Sequence, residues 1–398
     1  LTPVWKPSLA MAEATGGWRV LGEGAVAAAL QRRLPAGGDL LSFWPAPLTV
    51  PTSLAEWRTR RHELLSAFTV ALRPVLGASG RLVWVTGEFD PVAELLDGLI
   101  ATLRVEHPEL QARRIVLAAS LADPVAAIVT ELGRTEAEPL VLLRQNERLI
   151  RRFEPVSVAN PPRPPHGDAT YLVTGGTGGI GRLLVQHLLG AGAGRIVLAS
   201  RGGSLPDSLA GDGRLTAAAC DLADGMAVTT LVEGLAQGGP PLCGVFHLAG
   251  VTADGLLATQ SVAAMAPAFA AKLDGAWLLD RATRALELDH FVLFGSVTAT
   301  LGLAGAGAYA AANAALAGIA RDRRRVGLPG LAIGWAAWQD TGMAEAAQLW
   351  RDGPMPSYPA ADALAALDRM LTVPAADLVV LPAPDQALLT RGDWDRVG

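Results

Sequence analysis

One stretch limits the fold of this chain more than any other: Thr174-Gly175-Gly176-Thr177-Gly178-Gly179-Ile180-Gly181. An apolar run precedes it at 171–174, and a helical pattern follows at 182–189. A glycine-rich turn lets the backbone approach a pyrophosphate, and the free N–H groups of the next helix meet that charge. Strand, glycine turn and helix in this order open a parallel sheet.

More such units surround it. Strands are expected at 171–174, 195–199, 215–219, 244–248, 290–294, 331–335 and 378–381, with a helix at 309–319. Earlier in the chain the strand candidates are 18–21, 40–44, 81–85, 114–118 and 140–143. Helical patterns fall between them at about 24–34, 54–76, 91–104 and 123–133. Alternation of this kind predicts βαβ units and an α/β fold. With 398 residues, two units are expected. Residues 159–168 hold four prolines and mark the linker, so the division is 1–160 and 161–398.

The first half has its own fragment, Gly22-Glu23-Gly24-Ala25-Val26-Ala27, after a strand. Its second strand ends in Ser42-Phe43-Trp44-Pro45, with neither an acid for a ribose nor an arginine for a phosphate. All three tyrosines lie beyond the linker. A structural half without cofactor is expected.

Composition closes off other classes. The net charge of -5 gives no electrostatic case for nucleic acid. Two cysteines, Cys220 and Cys243, suit a reducing, cytoplasmic compartment. The six scattered histidines predict no metal site. Residues 291–320 carry no charge, but they read as a buried strand and a buried helix and predict no membrane span. The start, Leu-Thr-Pro-Val-Trp-Lys-Pro, is no signal peptide and lacks Met, which suggests a piece of a longer polypeptide.

Chemistry concentrates in the second half. The strand after the glycine loop ends in Ser200-Arg201. An acid there would hold the 2′-hydroxyl of NAD, whereas a basic residue suits the 2′-phosphate of NADP. Asp221 can accept from an adenine amino group, with Leu222 flanking the ring. His247-Leu248-Ala249-Gly250 places a small-residue turn beside the cofactor.

Tyr309 and Asn313, four apart, share one helix face. Ser296 stands just after a strand. Lys272, one of two lysines in the chain, lies on a helix with Leu273 and Trp277. Hydride delivery to a ketone leaves an alkoxide that needs a proton. Tyr309 is the candidate acid, and Ser296 can donate to the same oxygen. A free phenol has a pKa of about 10, and lowering it by ~3 units takes about 4 kcal/mol. An ammonium at ~4 Å, at an effective dielectric of about 20, supplies that much. Asn313 can hold a water or backbone group that connects Lys272 to the ring hydroxyl. Two other signals carry less: Leu205-Pro206-Asp207-Ser208-Leu209 lacks the glycine of a carrier-protein serine, and Arg321-Asp322-Arg323-Arg324-Arg325 reads as a solvated helix end.

These motifs resemble the ketoreductase domains of modular polyketide synthases, within the short-chain dehydrogenase/reductase superfamily. The likeness rests on the glycine loop, Ser200-Arg201, Cys220-Asp221-Leu222, His247 to Val251, Lys272 to Trp277, Tyr309 to Asn313 and Gly334-Trp335. Most of the superfamily has Tyr-x-x-x-Lys, and the exchange of Asn313 with Lys272 is particular to the complex ketoreductases. The resemblance covers about 170–380. It implies a Rossmann-like doubly wound parallel sheet, preceded by a truncated Rossmann structural subdomain. It further implies NADPH-dependent reduction of a β-ketoacyl chain. That chain would be carried on the phosphopantetheine of an acyl carrier protein, among neighbouring synthase domains.

Asp254 matches the last residue of the Leu-Asp-Asp motif of B-type domains, though Thr252 and Ala253 depart from it. Leu301 stands where A-type domains carry Trp. A B-type, D-hydroxy product is therefore expected. Ala311 occupies the position of the Pro found with epimerised substrates, which favours no epimerisation. A lid is expected over 341–356, with Met343 on the substrate side. Two alternatives stay open: an α-ketoacyl reductase of a nonribosomal depsipeptide synthetase, and a redox-inactive epimerase or scaffold.

Overall fold

The computed structural model describes residues 1–8, 17–44, 51–77, 79–134, 138–145, 147–158, 161, 164–339, 341–342 and 357–381. Met343 and most of the expected lid lie outside the described residues.

The first sheet contains β1 (Thr2–Pro7), β2 (Trp18–Leu21), β3 (Asp39–Phe43), β4 (Gly80–Gly87), β5 (Leu110–Leu117), β6 (Leu140–Arg144) and β7 (Glu147–Glu154). Its order is β1-β7-β6-β5-β4-β3-β2. Strands β2 to β6 run parallel, each beside its neighbour in sequence. β7 then pairs antiparallel with β6, and β1 antiparallel with β7. The sequence pattern anticipates neither strand. Pro3 and Pro7 argue against β1, but an edge strand tolerates the missing donors. In β7 the arginines break the apolar alternation. Arg148 and Arg152 are nevertheless buried, because Glu131 and Glu138 neutralise them.

The second sheet contains β8 (Thr170–Thr174), β9 (Arg195–Ser200), β10 (Leu215–Ala219), β11 (Leu242–His247), β12 (His290–Ser296) and β13 (Leu331–Trp335). After a short pair, β14 (Ala337–Trp338) and β15 (Ser357–Tyr358), comes the edge strand β16 (Asp377–Val380). The order is β10-β9-β8-β11-β12-β13-β16, all parallel. Every strand expected here is present within two residues of its predicted ends.

Among the described residues the α-helices are α1 (Ala25–Arg33), α2 (Leu54–Leu72), α3 (Leu95–Glu106), α4 (Pro124–Leu132), α5 (Gly179–Gly190), α6 (Gly225–Gln237), α7 (Val262–Phe269), α8 (Gly275–Thr283), α9 (Thr298–Leu301), α10 (Gly307–Arg325) and α11 (Ala360–Met370). A capping box starts α2: the Ser53 hydroxyl accepts from the Glu56 N–H while the Glu56 carboxylate reaches back. Such a cap contributes about 1 kcal/mol. α2 stops short of residue 76 because a 3₁₀ turn containing Pro74 takes over.

The two sheets share a core. One apolar cluster runs from Leu64, Phe68 and Leu99 of the first half to Leu293, Ala308 and Ala312 of the second. α3 lies directly on α10, so closely that a Cβ on Gly98 would strike the Ala310 carbonyl. Trp57 of α2 stacks on Trp277 of α8 at 5.7 Å. The continuous helical stretch Val262–Thr283 is long and apolar enough to cross a membrane, but it packs against α2, α6 and α10 inside the protein.

Candidate functional site

Strand order decides where a ligand can enter. In the second sheet β8 lies between β9 and β11, so the chain leaves β8 in one direction and later resumes on its other side. Loops at such a reversal diverge and leave a crevice at the carboxyl ends of the strands. The glycine loop follows β8, and residues 248–250 follow β11. Gly175 has φ of 71°, and a Cβ there would come within 2.7 Å of the Ala249 nitrogen. Only glycine lets the two loops abut this way.

A cleft of about 1240 Å³ opens at this point. That exceeds the ~300–1,000 Å³ of a typical small-ligand pocket. Its walls include Gly175, Thr177, Gly178, Gly179, Ile180 and Gly181 on one side, then Ser200, Arg201, Asp221 and Leu222, then Ala249, Gly250 and Asp254. Lys272, Ser296 and Tyr309 complete it. The cofactor and catalytic candidates therefore face one space. Four residues stand behind the wall. Gly176 turns toward Leu198, while Thr174, His247 and Asn313 are buried. Leu301 is not among the lining residues.

The glycine loop fits a phosphate. Gly178 caps α5 without any side-chain hydrogen bond, so its first-turn N–H groups are left for a ligand. Arg201 is exposed at the rim, and no ion pair of it is recorded among the described residues. Ser200 turns inward and accepts from the Gly203 N–H at 3.2 Å. Arg182, unforeseen in the sequence, adds a second exposed cation to the same wall.

His247 does not act as an acid or base. Its Nε2 lies 2.7 Å from the Lys272 carbonyl, which can only accept. Nε2 therefore donates, and Nδ1 accepts from the Thr174 hydroxyl at 2.7 Å. Burial pushes its pKa down to about 3, so the ring is neutral. A neutral imidazole thus ties the end of β8 to the backbone that carries Lys272.

That backbone is a π-turn, Ala270–Asp274, in which the Gly275 N–H reaches back to the Ala270 carbonyl. Pro267, one turn earlier, removes a helical donor. Asp274 anchors the turn from the other side, taking Trp57 Nε1 at 3.1 Å, Arg58 Nε at 2.8 Å and Arg61 Nη1. All three donors come from α2.

Lys272 Nζ donates to the Phe294 carbonyl at 3.0 Å and lies 5.5 Å from the centre of the Tyr309 ring. Burial lowers its pKa to about 8. The Asn313 Nδ2 donates to the Tyr309 carbonyl at 2.8 Å, and its Oδ1 is buried without a partner. Ser296, the last residue of β12, accepts from the Thr298 N–H at 3.2 Å.

One expectation needs correction here. Tyr309 does not have a lowered pKa in this arrangement. Burial pushes the phenol up, and the nearby Asn313 and Ser296 side chains offset part of that rise. The lysine ammonium is directed at the Phe294 carbonyl, and its charge is itself disfavoured by burial.

Trp335, the last residue of β13, and Ala336, Ala337 and Trp338 after it also line the cleft. Trp335 meets Trp338 edge-on at 5.2 Å. Their place at a strand end is the signal that could have found them. Arg182 has no comparable sequence signal.

Residues 169–340 match the KR domain family. Polyketide synthase GfsA of Streptomyces halstedii is 38% identical over 334 residues, covering 78% of this chain and 4% of that protein. GfsB of the same organism is 48% identical over 210 residues, again 4% of its length. The chain thus spans a small fraction of these relatives. Among solved structures, PlmKR1, the ketoreductase from the first module of phoslactomycin biosynthesis in Streptomyces sp. HK803, superposes with a TM-score of 0.80. It shares 26% identity, with 98% of this chain and 94% of that one covered. An A1-type ketoreductase superposes with a TM-score of 0.80 at 28% identity, covering 96% and 92%.

Proposed function

Because the chain belongs to the ketoreductase-domain family of modular polyketide synthases, we propose that it reduces a carrier-bound β-ketoacyl thioester to the β-hydroxyacyl thioester, with NADPH as reductant. Residues 161–398 carry the chemistry in this reading, and residues 1–160 are structural. The observation that carries it is the convergence of Lys272, Ser296 and Tyr309 on the cleft that the glycine loop lines.

When bound, the nicotinamide supplies a hydride to the carbonyl carbon. The chain's own residues manage the oxygen. Tyr309 gives its phenolic proton to the developing alkoxide, and Ser296 donates a hydrogen bond to the same atom. Lys272 stabilises the phenolate that results. The unpartnered Asn313 Oδ1 and the spare N–H groups of Lys272 suit a bridging water that would restore the proton. Arg201 favours the 2′-phosphate of NADPH over NADH, with Arg182 supporting it.

The B-type, D-hydroxy reading rests on Asp254, which lines the cleft together with Lys272, Ser296 and Tyr309. Structural likeness does not choose the type, since A1-type and C2-type ketoreductases both superpose well.

The test offers a β-ketoacyl and an α-ketoacyl thioester with NADPH or NADH, followed by chiral analysis of the alcohol. Oxidation of NADPH with the β-ketoacyl thioester and a D-hydroxy product are expected. No oxidation with either thioester would overturn the reductase reading. Equal use of NADH removes the role of Arg201, and an L-hydroxy product removes that of Asp254.

A further inference from the structure

Glu106 ends α3, in the first half of the chain, yet its carboxylate reaches two loops of the second half that border the cleft. One oxygen accepts the Leu257 N–H at 2.8 Å and the other the Gly305 N–H at 2.9 Å. These amides belong to two loops. Residues 251–257 carry Asp254, and residues 302–306 lead into α10 and Tyr309. Leu303, Ala306 and Asp254 all line the cleft.

The loops also bind each other. The Gly255 N–H donates to the Gly305 carbonyl at 2.8 Å, and Gly255 forms a β-bridge with Ala306. Gln260 closes the first loop on itself through the Ala253 carbonyl at 2.7 Å. The pair is therefore internally tied, and Glu106 anchors both members to α3. Hydrogen bonds to a carboxylate are roughly twice as strong as neutral ones. Neighbouring contacts reinforce the anchor: a Cβ on Gly302 would strike the Ala101 carbonyl of α3.

We propose that Glu106 is a positioning residue. Its two oxygens set the spacing and tilt of the Asp254 wall against the Tyr309 wall, and so govern which face of the ketone meets the hydride. The proposal rests on the reduction reading for its kinetic arm, but its geometric arm stands without it.

Glu106→Gln converts one acceptor into a donor that opposes an N–H. Hydrogen–deuterium exchange on the full chain should show faster exchange at 252–260 and 302–308, with none at the glycine loop. In turnover, NADPH affinity should stay within about twofold of wild type, while kcat/KM and the ratio of alcohol stereoisomers each fall about tenfold. The stereoisomer ratio is a readout that loss of stability alone would not move. Should Glu106→Gln lack cooperative melting, Glu106→Asp decides. It keeps the charge and reaches one amide, so an eroded ratio supports the proposal and a wild-type ratio overturns it. Unchanged exchange in both loops, or an unchanged ratio and kcat/KM in a folded Glu106→Gln, also overturns it. If the wild type reduces no thioester, the function fails, whereas the exchange result still tests the anchor.

Discussion

The described residues form two seven-stranded sheets, each with a glycine-containing turn after an early strand, but only in the second does the strand order reverse beside that turn. In the first, β2 to β6 follow each other in sequence order and the order never reverses among them. In the turn after β2, a Cβ on Gly22 would strike the carbonyl of Phe43. In the second, the reversal at β8 sets the glycine loop against residues 248–250 and opens the cleft. A glycine motif thus has meaning only through the topology around it. The first sheet contributes otherwise: α2 holds the π-turn of Lys272 through Asp274, and α3 supports the helix of Tyr309.

The largest expected effect tests the chemistry of the second half. Tyr309→Phe should lower kcat about 10²–10⁴-fold while NADPH still binds, read by single-turnover kinetics and a binding titration. Retained turnover would remove Tyr309 as the acid.

Next comes the contribution of the first half. Arg61→Ala leaves the buried Asp274 carboxylate with Arg58 and Trp57 only. Breaking a buried pair costs about 3–5 kcal/mol, and the remaining partners place this case at the lower end. Denaturant melts should show that loss together with reduced kcat. A stable variant with normal kcat would mean that α2 does not hold the site.

The two glycine turns can be compared directly. Gly175→Ala meets backbone atoms of Leu248 and Ala249 within 3 Å, so NADPH affinity should fall at least about tenfold. Gly24→Ala, where a Cβ meets nothing within 4 Å, should leave affinity within about twofold and cost about 1 kcal/mol from its φ of 102°. Equal losses of affinity would erase the distinction between the halves.

The smallest effects are in pH dependence. Burial lowers the Lys272 ammonium to about 8 in the folded chain, against about 10.5 for a free lysine side chain. Its ammonium, and the help it gives Tyr309, should therefore fade as pH rises through about 8, giving a falling limb in kcat/KM that Lys272→Met lacks. For folding, the unfolded chain holds the extra proton between about 8 and 10.5, so this group makes stability rise with pH across that window. His247, lowered to about 3, works the same way at acid pH: its share of stability is lost as pH falls from 6.5 toward 3. A His247→Gln variant should show a flatter melt-versus-pH curve there.

The second sheet was legible because its strands are plain apolar runs and its loops carry rigid chemical signatures. β1 and β7 were not, because prolines and arginines hide them until an edge position and acid partners are known. Lys272, Ser296, Tyr309 and Asn313 could be picked out as candidates from spacing, but their electrostatics could not. Burial decides here: it pushes the Tyr309 phenol up, against the smaller lowering by the Asn313 and Ser296 side chains. Glu106 carries no sequence signal, and Asp274 none for its anchoring contacts, since their partners lie more than 150 positions away in the chain.

By itself, then, the amino-acid sequence determined the α/β class, the glycine-rich turn after β8, and the polar groups proposed to move a proton onto a ketone. These follow from local periodicity and residue chemistry, which a chain carries wherever it folds. Only the tertiary structure decided that the glycine turn after β8 faces a cleft, that His247 is a neutral strut, and that the first half anchors both Lys272 and the loops around Asp254. Those facts depend on strand order and on contacts between distant segments, and both arise only when the two sheets pack into one core.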